Sequence, residues 1–497
     1  MDFPSDIEMI EKQKTVHAAE MEINSESQSS ENEAKTNWRL IIVTGIVSGL
    51  NAVENSVIGM GEWPYMKEID NDATAQFFGF SQSAAKCGHA IFALLFSIWS
   101  YKSRSVKIPM LASRLIAIVA CCIYLSIEFF PSGKRYTLMT VYILLSVANS
   151  ASTVLRGYIV MISSSQDRAK AFAIIGLSAI TSIVIGPALQ LLFSGIVYPG
   201  YEVVPGIRFH IFSVPIWCSL ILTVITAVII CVYMDDVHRR VSTENQCDSG
   251  SKKQLISIEI IKETVENLRN SGLNWRLIGV CLFVKIAVTF LSALLGSIMS
   301  IIFMVLYGWT GSETVRLGST LMIAFGVISC TVLFLYIFCR LGEILRQEKV
   351  FVACVFAVGT FFVVTYPFDF NSQPVAPYNA TTRAGCNPAE YAWCEGSLAV
   401  KPNYFMYATV LFFAPCLPMM HTALDTVYSQ ILGNIDQNVA HGAMTVVDDV
   451  VFMITPIFTT TIFTLLGIGP LWIMKAAMFF FIATVWLFHI KQIGEAL

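Results

Sequence analysis

Charge is what this sequence has least of. Only 13% of its 497 residues are Asp, Glu, Lys or Arg, against roughly a quarter in a soluble domain. Hydrophobic residues make up 55%, and the mean hydropathy is +0.65. So few charges cannot cover a soluble surface, so lipid must cover much of it. Neither sign dominates: 32 Lys and Arg stand against 35 Asp and Glu, for a net charge of −3. With no basic stripe interleaved with aromatics, a nucleic-acid partner is not expected. Several motifs are missing as well. Without a Gly-x-x-x-x-Gly-Lys-Ser/Thr loop, nothing supports ATP-driven pumping. No Cys/His cluster has metal-ligand spacing and no nucleophilic-serine elbow occurs, so neither an enzyme nor a metal or other cofactor is expected. No cleavable signal peptide is visible, and insertion is expected to start from the first apolar stretch. Residues 1–38 are polar and acidic (Asp2, Glu8, Glu20, Glu31 among them) and read as a disordered tail.

Long apolar runs, by contrast, are abundant. Crossing a bilayer takes about 20 apolar residues per helix. Stretches of that length begin near Leu40, Gly79, Ile108, Thr137, Ala171 and Phe209, and again near Leu277, Val315, Val350, Tyr404, Ala440 and Leu471. A polar segment, 235–275, separates the two sets. The pattern predicts an all-α membrane protein with twelve transmembrane helices in two six-helix halves, 39–234 and 276–490, followed by a short tail at 491–497. Folds built from repeated halves place the solute near the bilayer midplane, between them.

Cytosolic loops carry excess Lys and Arg. With both termini in the cytosol, about 20 of the 32 basic residues fall on that side, including Lys102, Arg104, Lys107, Arg239, Arg240, Lys252, Lys253, Arg340, Arg346 and Lys349. The connection 368–403 then faces the lumen or cell exterior. It holds the single glycosylation sequon, at Asn379, and two cysteines, Cys386 and Cys394. Oxidation is permitted on that face, so these cysteines are either a disulfide pinning the loop, which is favoured, or two free thiols.

Four stretches carry a family resemblance: Trp63-Pro64-Tyr65 with Ile69-Asp70; Arg156-Gly157-Tyr158 followed by Gln166-Asp167-Arg168; Gly186-Pro187; and the Cys386–Cys394 loop with Tyr428-Ser429-Gln430-Ile431-Leu432-Gly433. On these the chain resembles the lysosomal major-facilitator proteins of the ceroid-lipofuscinosis type, the major facilitator superfamily domain-containing protein 8 family. The resemblance implies the major-facilitator fold, with helices 1, 4, 7 and 10 lining a central cavity, and lysosomal or endosomal residence. The resemblance is that of a divergent member. The loop after helix 2, Ser97 to Arg104, lacks the superfamily's usual Gly and Asp, and Tyr142 stands where helix 4 normally carries Arg. The small-residue run after it is Ser146, Ala148 and Ser150, without Gly, and the loop after helix 8 keeps only Arg340-Leu341-Gly342-Glu343. No acidic dileucine sorting signal is present in the tail.

Ionisable residues inside a membrane are costly and usually have a partner or a function. Each of the four expected cavity helices has one: Glu54, Arg156, Lys285 and Asp425. Helix 2 adds Lys86, and helix 11 adds Asp448 and Asp449, which as neighbours cannot both face the cavity. At about 1.5 Å per residue, Glu54 and Lys86 fall at similar heights in the non-cytosolic half, where they are either a static ion pair locking the bundle or part of the solute pathway. Lys285 and Asp448 fall near the middle, and Arg156 and Asp425 nearer the cytosol. Arg114 is expected to snorkel to the cytosolic interface. His89, on the face of Lys86, is either a packing residue or a proton carrier; His421 shares a face with Asp425. Gly186-Pro187 reads as a hinge or packing device.

Three functions fit. The first is an anion pathway, for which the resemblance implies chloride, with Arg156, Lys285 and Lys86 supplying the positive field. The second is a proton-coupled carrier of a small organic solute, with Glu54, Asp425 or Asp448 carrying the proton. The third is a membrane receptor or scaffold that does not transport. The expected partners are therefore the lipid bilayer, a small solute or anion, and protons in the coupled case.

Overall fold

The computed structural model describes residues 36–163, 167–205, 207–236, 275–339, 344–432 and 437–496. Nearly all of the acidic tail, most of the 235–275 linker, Gln166, Arg340-Leu341-Gly342-Glu343 and Gly433 lie outside the described residues. The chain forms α1 (Trp38–Ser56), α2 (Glu62–Ile69), α3 (Ala75–Ser103), α4 (Lys107–Leu125), α5 (Lys134–Ser150), α6 (Ser152–Ile162), α7 (Arg168–Leu192) and α8 (Val214–Tyr233). After the linker come α9 (Trp275–Tyr307), α10 (Gly311–Phe338), α11 (Gln347–Val364), α12 (Pro402–Ala408), α13 (Ala414–Leu432), α14 (Gln437–Leu466) and α15 (Ile468–Ala496). Taking α1–α2, α5–α6 and α12–α13 as continuous spans, 11 helices are long and apolar enough to cross a membrane. The twelfth is α3: its 29 residues include Gln76, Gln82, Lys86 and His89, which hold its apolarity below that of the others. The chain is an integral membrane protein.

Local chemistry sets the helix starts. The Asn37 side chain accepts from the Leu40 amide, and Thr74 accepts from Phe77. Thr310 and Glu313 close a capping box at the start of α10. Two details depart from the sequence expectation. The sixth span begins at Val214 rather than near Phe209, because β2 (Ile207–Phe209) pairs antiparallel with β1 (Tyr201–Val204). The expected tail from 491 is helical to Ala496, as the last turns of α15.

Large apolar side chains such as Leu94, Leu115, Leu177, Leu192 and Phe488 point outward, as lipid-facing positions do. Inside, two buried clusters form. One fills the C-terminal half and continues into the N-terminal half through Trp63, Tyr65, Phe78 and Phe212. The other joins Leu40, Val106, Leu155, Tyr158 and Met234 within the N-terminal half alone. The halves meet as α3 packs along α14 and α7 along α10. Their closest approaches use glycine: a Cβ on Gly79 would lie 2.8 Å from the Pro456 carbonyl oxygen, and one on Gly326 would lie 2.9 Å from Val184. Gly186 has the packing role its sequence suggested. A Cβ there would meet Ser56 of α1, whose hydroxyl donates to the Ser182 carbonyl at 2.9 Å.

The connection 368–403 is ordered on the C-terminal half. Strands β3 (Ser372–Pro374) and β4 (Leu398–Val400) close its base, and Cys386 and Cys394 are joined in a disulfide. The Gly385 amide donates to the Met304 carbonyl, and the Trp393 indole donates to Phe463 and Thr464, so the loop caps the ends of α9 and α14. Asn379 is exposed on this loop. The side of the bundle bearing it is called the loop end below, and the side bearing Trp38 and Ala496 the terminus end.

Candidate functional site

The first span is interrupted. After α1, the residues Gly59–Gly61 form a short 3-10 turn before α2 begins at Glu62. Glycine is a poor helix former and permits the break. The break brings Glu62 to the wall of a cavity of about 580 Å³ between the halves. The wall is asymmetric. The N-terminal half contributes Asn55, Glu62, Gln82, Lys86, Tyr142 and Asn149, while the C-terminal half contributes mainly Ala293, Gly296, Phe452 and Pro456. Gln82 donates to the Glu62 carboxylate at 3.3 Å, the Tyr142 hydroxyl donates to the Glu62 carbonyl at 3.3 Å, and Asn149 donates to Asn55 at 2.6 Å.

Glu54 does not pair with Lys86. Its carboxylate lies 2.8 Å from the Arg114 guanidinium, with both side chains buried. Arg114 also donates to Asn51 at 2.7 Å, so it does not snorkel to an interface. The reason is local: Asn51 and Glu54, three residues apart on α1, present two acceptors to α4. A buried ion pair is tolerated only when such additional hydrogen bonds satisfy it. Lys86 is left exposed, its ammonium 5.8 Å from the centre of the Phe452 ring.

The C-terminal half carries a second cluster, outside the cavity wall. Lys285 of α9 lies 2.9 Å from Asp425 of α13 and 3.5 Å from Asp448 of α14, and Thr289 donates to Asp448 at 2.8 Å. Asp425 had been placed nearer one face than Lys285. The two meet because a lysine side chain is long enough to reach from α9 to α13. His421 lies within reach of all three charges, while the Asp425 carboxylate is engaged by Lys285.

Arg156, on α6, is exposed and lies beyond the cavity wall toward the terminus end, within electrostatic reach of His89. His89 in turn senses Lys86 and Asp449. Among the described residues, no carboxylate forms an ion pair with Arg156 or Lys86. Sequence reasoning missed Glu62 and Gln82, and read Tyr142 only as a departure. The available signal was Gly59-Met60-Gly61: a glycine pair inside an apolar run marks a break that can expose the next polar side chain.

Two helical halves with a charged cavity between them are the architecture of repeat-built membrane transporters. The family model described as Major Facilitator Superfamily matches residues 44–382, and the chain belongs to that superfamily. It is a membrane transporter of small solutes. It is similar to Major facilitator superfamily domain-containing protein 8 from Xenopus laevis, 23% identical over 467 residues and 88% of each chain. Among solved structures it resembles a D-xylose-proton symporter, with a TM-score of 0.63, 12% identity, and 90% of this chain and 97% of that one covered. A bacterial homolog to the human lysosomal transporter Spinster, in an inward-facing conformation, matches with a TM-score of 0.55, 12% identity, and 91% and 98% coverage. The human organic anion transporter TETRAN matches with a TM-score of 0.52, 10% identity, and 90% and 99% coverage. At these identities the structural likenesses establish the fold alone.

Proposed function

We propose that this transporter carries a small anion across endolysosomal membranes, with both termini in the cytosol and the 368–403 loop in the lumen. One observation carries the choice of an anion. Well inside the spanning helices, Arg114 and Lys285 are neutralised by carboxylates and Lys475 is buried against the Phe362 and Trp472 rings, whereas Lys86 and Arg156 are exposed and lack an ion-pair partner among the described residues. An unneutralised cation in a membrane protein is costly unless something completes it. An anion drawn past Arg156 to Lys86 would do so. Chloride, the ion the resemblance implies, is one member of this class. The cavity, at about 580 Å³, lies within the range that accommodates organic ligands.

Endolysosomal residence follows the resemblance to the domain-containing protein 8 family. Anion uptake into proteoliposomes holding the purified protein tests the function. Uptake by the wild type that is lost in Lys86→Gln supports the proposal, and equal uptake by both proteins contradicts it.

A second function has its own observation. Lys285 lies between Asp425 and Asp448, so a proton on either carboxylate would release the lysine toward the other. Proton coupling through this triad predicts that Asp425→Asn loses uphill uptake under a pH gradient but keeps exchange of solute for solute.

A further inference from the structure

Glu62 and Lys86 both line the cavity, on α2 and α3, close enough for their charges to interact yet forming no ion pair. The Lys86 ammonium is instead drawn toward the Phe452 ring of the opposite half. Gln82 and Lys86 are four residues apart, and therefore on one face of α3, and Gln82 already donates to the Glu62 carboxylate. The result is a separated pair of opposite charges with cavity space beside both. A solute with a single negative charge would satisfy Lys86 while placing like charge near Glu62. A monoamine would satisfy Glu62 and repel Lys86. A solute carrying both a carboxylate and an ammonium completes both at once and adds no net charge to the membrane interior.

From this arrangement we infer that the cavity is a two-point site for a small zwitterion of amino-acid type. Its carboxylate meets Lys86, its ammonium meets Glu62, and its side chain lies against Phe452 and Pro456. The apolar wall from the C-terminal half fits the side chain, and the polar wall from the N-terminal half fits the backbone-like groups. The inference rests on the anion-carrier proposal for the role of Lys86 alone, and replaces a cargo of net negative charge by one whose carboxylate is offset by its own ammonium.

The test is binding to the purified, monodisperse full-length protein of glycine, alanine and leucine, each beside its des-amino acid: acetate, propionate and 4-methylpentanoate. At least one amino acid should bind the wild type roughly tenfold or more tightly than its des-amino counterpart, because the missing ammonium leaves the Glu62 carboxylate without a cationic partner. Glu62→Gln should abolish that advantage while leaving carboxylate binding in place, and Lys86→Gln should weaken both ligands. Equal binding of each acid and its des-amino partner by the wild type overturns the zwitterion site and leaves the anion proposal standing. Binding of neither series, with inorganic anions also failing, overturns both. The wild-type comparison decides even where a variant does not fold.

Discussion

Lys67 of α2 and Glu390 of the 368–403 loop form an ion pair of 2.5 Å across the boundary between the two halves. Both side chains are largely buried, and the Lys67 ammonium also donates to the Ala73 carbonyl at 3.0 Å. Beside them, the Arg383 guanidinium donates to the Glu68 carbonyl, a second bond from loop to N-terminal half. The loop is fixed to α9 and α14, so it belongs to one half and clasps the other. Opening the loop end requires these contacts to part.

Removing either partner should therefore favour the state open at the loop end. Hydrogen bonds to charged groups are worth about 1.5–3 kcal/mol, which shifts a two-state equilibrium by roughly ten- to a hundredfold. Labelling of a cysteine placed at Ser297 by an impermeant thiol reagent from the loop side should accelerate in Lys67→Ala and in Glu390→Ala. The exchanged pair, Lys67→Glu with Glu390→Lys, should bring the rate back toward the wild type. Unchanged rates in both single variants would remove the latch role.

The buried Arg114–Glu54 pair makes a different prediction, about stability. Deleting one member of a buried pair leaves an uncompensated charge and costs about 3–5 kcal/mol. Arg114→Ala should lower the melting temperature in detergent steeply, and Arg114→Ala with Glu54→Ala should recover part of the loss. A surface-exposed, snorkelling arginine would instead tolerate the change.

These two pairs show what the sequence made legible and what it hid. Run lengths and polar gaps carry the spans, because bilayer thickness fixes how many apolar residues a helix needs. The ionisable residues stood out for the same reason. Their pairing did not, because height along an ideal helix says nothing of which helices lie side by side. Glu54 and Lys86 were matched by height, whereas α4 beside α1 decides the outcome through Arg114. Glu62 was hidden by its neighbours: it sits at the edge of an apolar run, and only the break at Gly59–Gly61 turns it to the cavity.

At the terminus end, Asp236 caps the start of α4. Its carboxylate accepts from the Ser105 hydroxyl at 2.8 Å and from the amides of Val106 at 2.9 Å and Lys107 at 3.1 Å. Partial burial works against its charge, but these bonds and the Lys107 ammonium outweigh it and hold the carboxyl below the usual Asp range. A lowered folded value means the cap contributes stability above pH ~4, lost as pH falls through the folded value. Asp236→Ala should cost about 0.5–2 kcal/mol locally at neutral pH. Hydrogen exchange at the Val106 and Lys107 amides should then be faster, with the difference from wild type closing in acid. Equal protection at pH 7 would deny the cap.

Orientation has a direct readout at Asn379, exposed on the loop. With the loop in the lumen, protein made in eukaryotic cells should lose apparent mass on glycosidase treatment, and Asn379→Gln should match the treated protein. An untreated wild type that already runs with Asn379→Gln would leave the loop's orientation without this support.

In the proposed anion carrier, Lys86 in the cavity and Arg156 beyond it toward the terminus end serve the anion. Anion flux in proteoliposomes, driven by a membrane voltage and compared between wild type and Arg156→Ala, tests it most directly. Arg156 is exposed and lacks an ion-pair partner among the described residues, so its removal should spare the fold. Flux in the wild type that falls at least roughly tenfold in Arg156→Ala, the loss expected when a charged contact is removed, is the predicted result. Equal flux in both, or none in a folded wild type offered chloride and organic anions, would overturn the anion proposal.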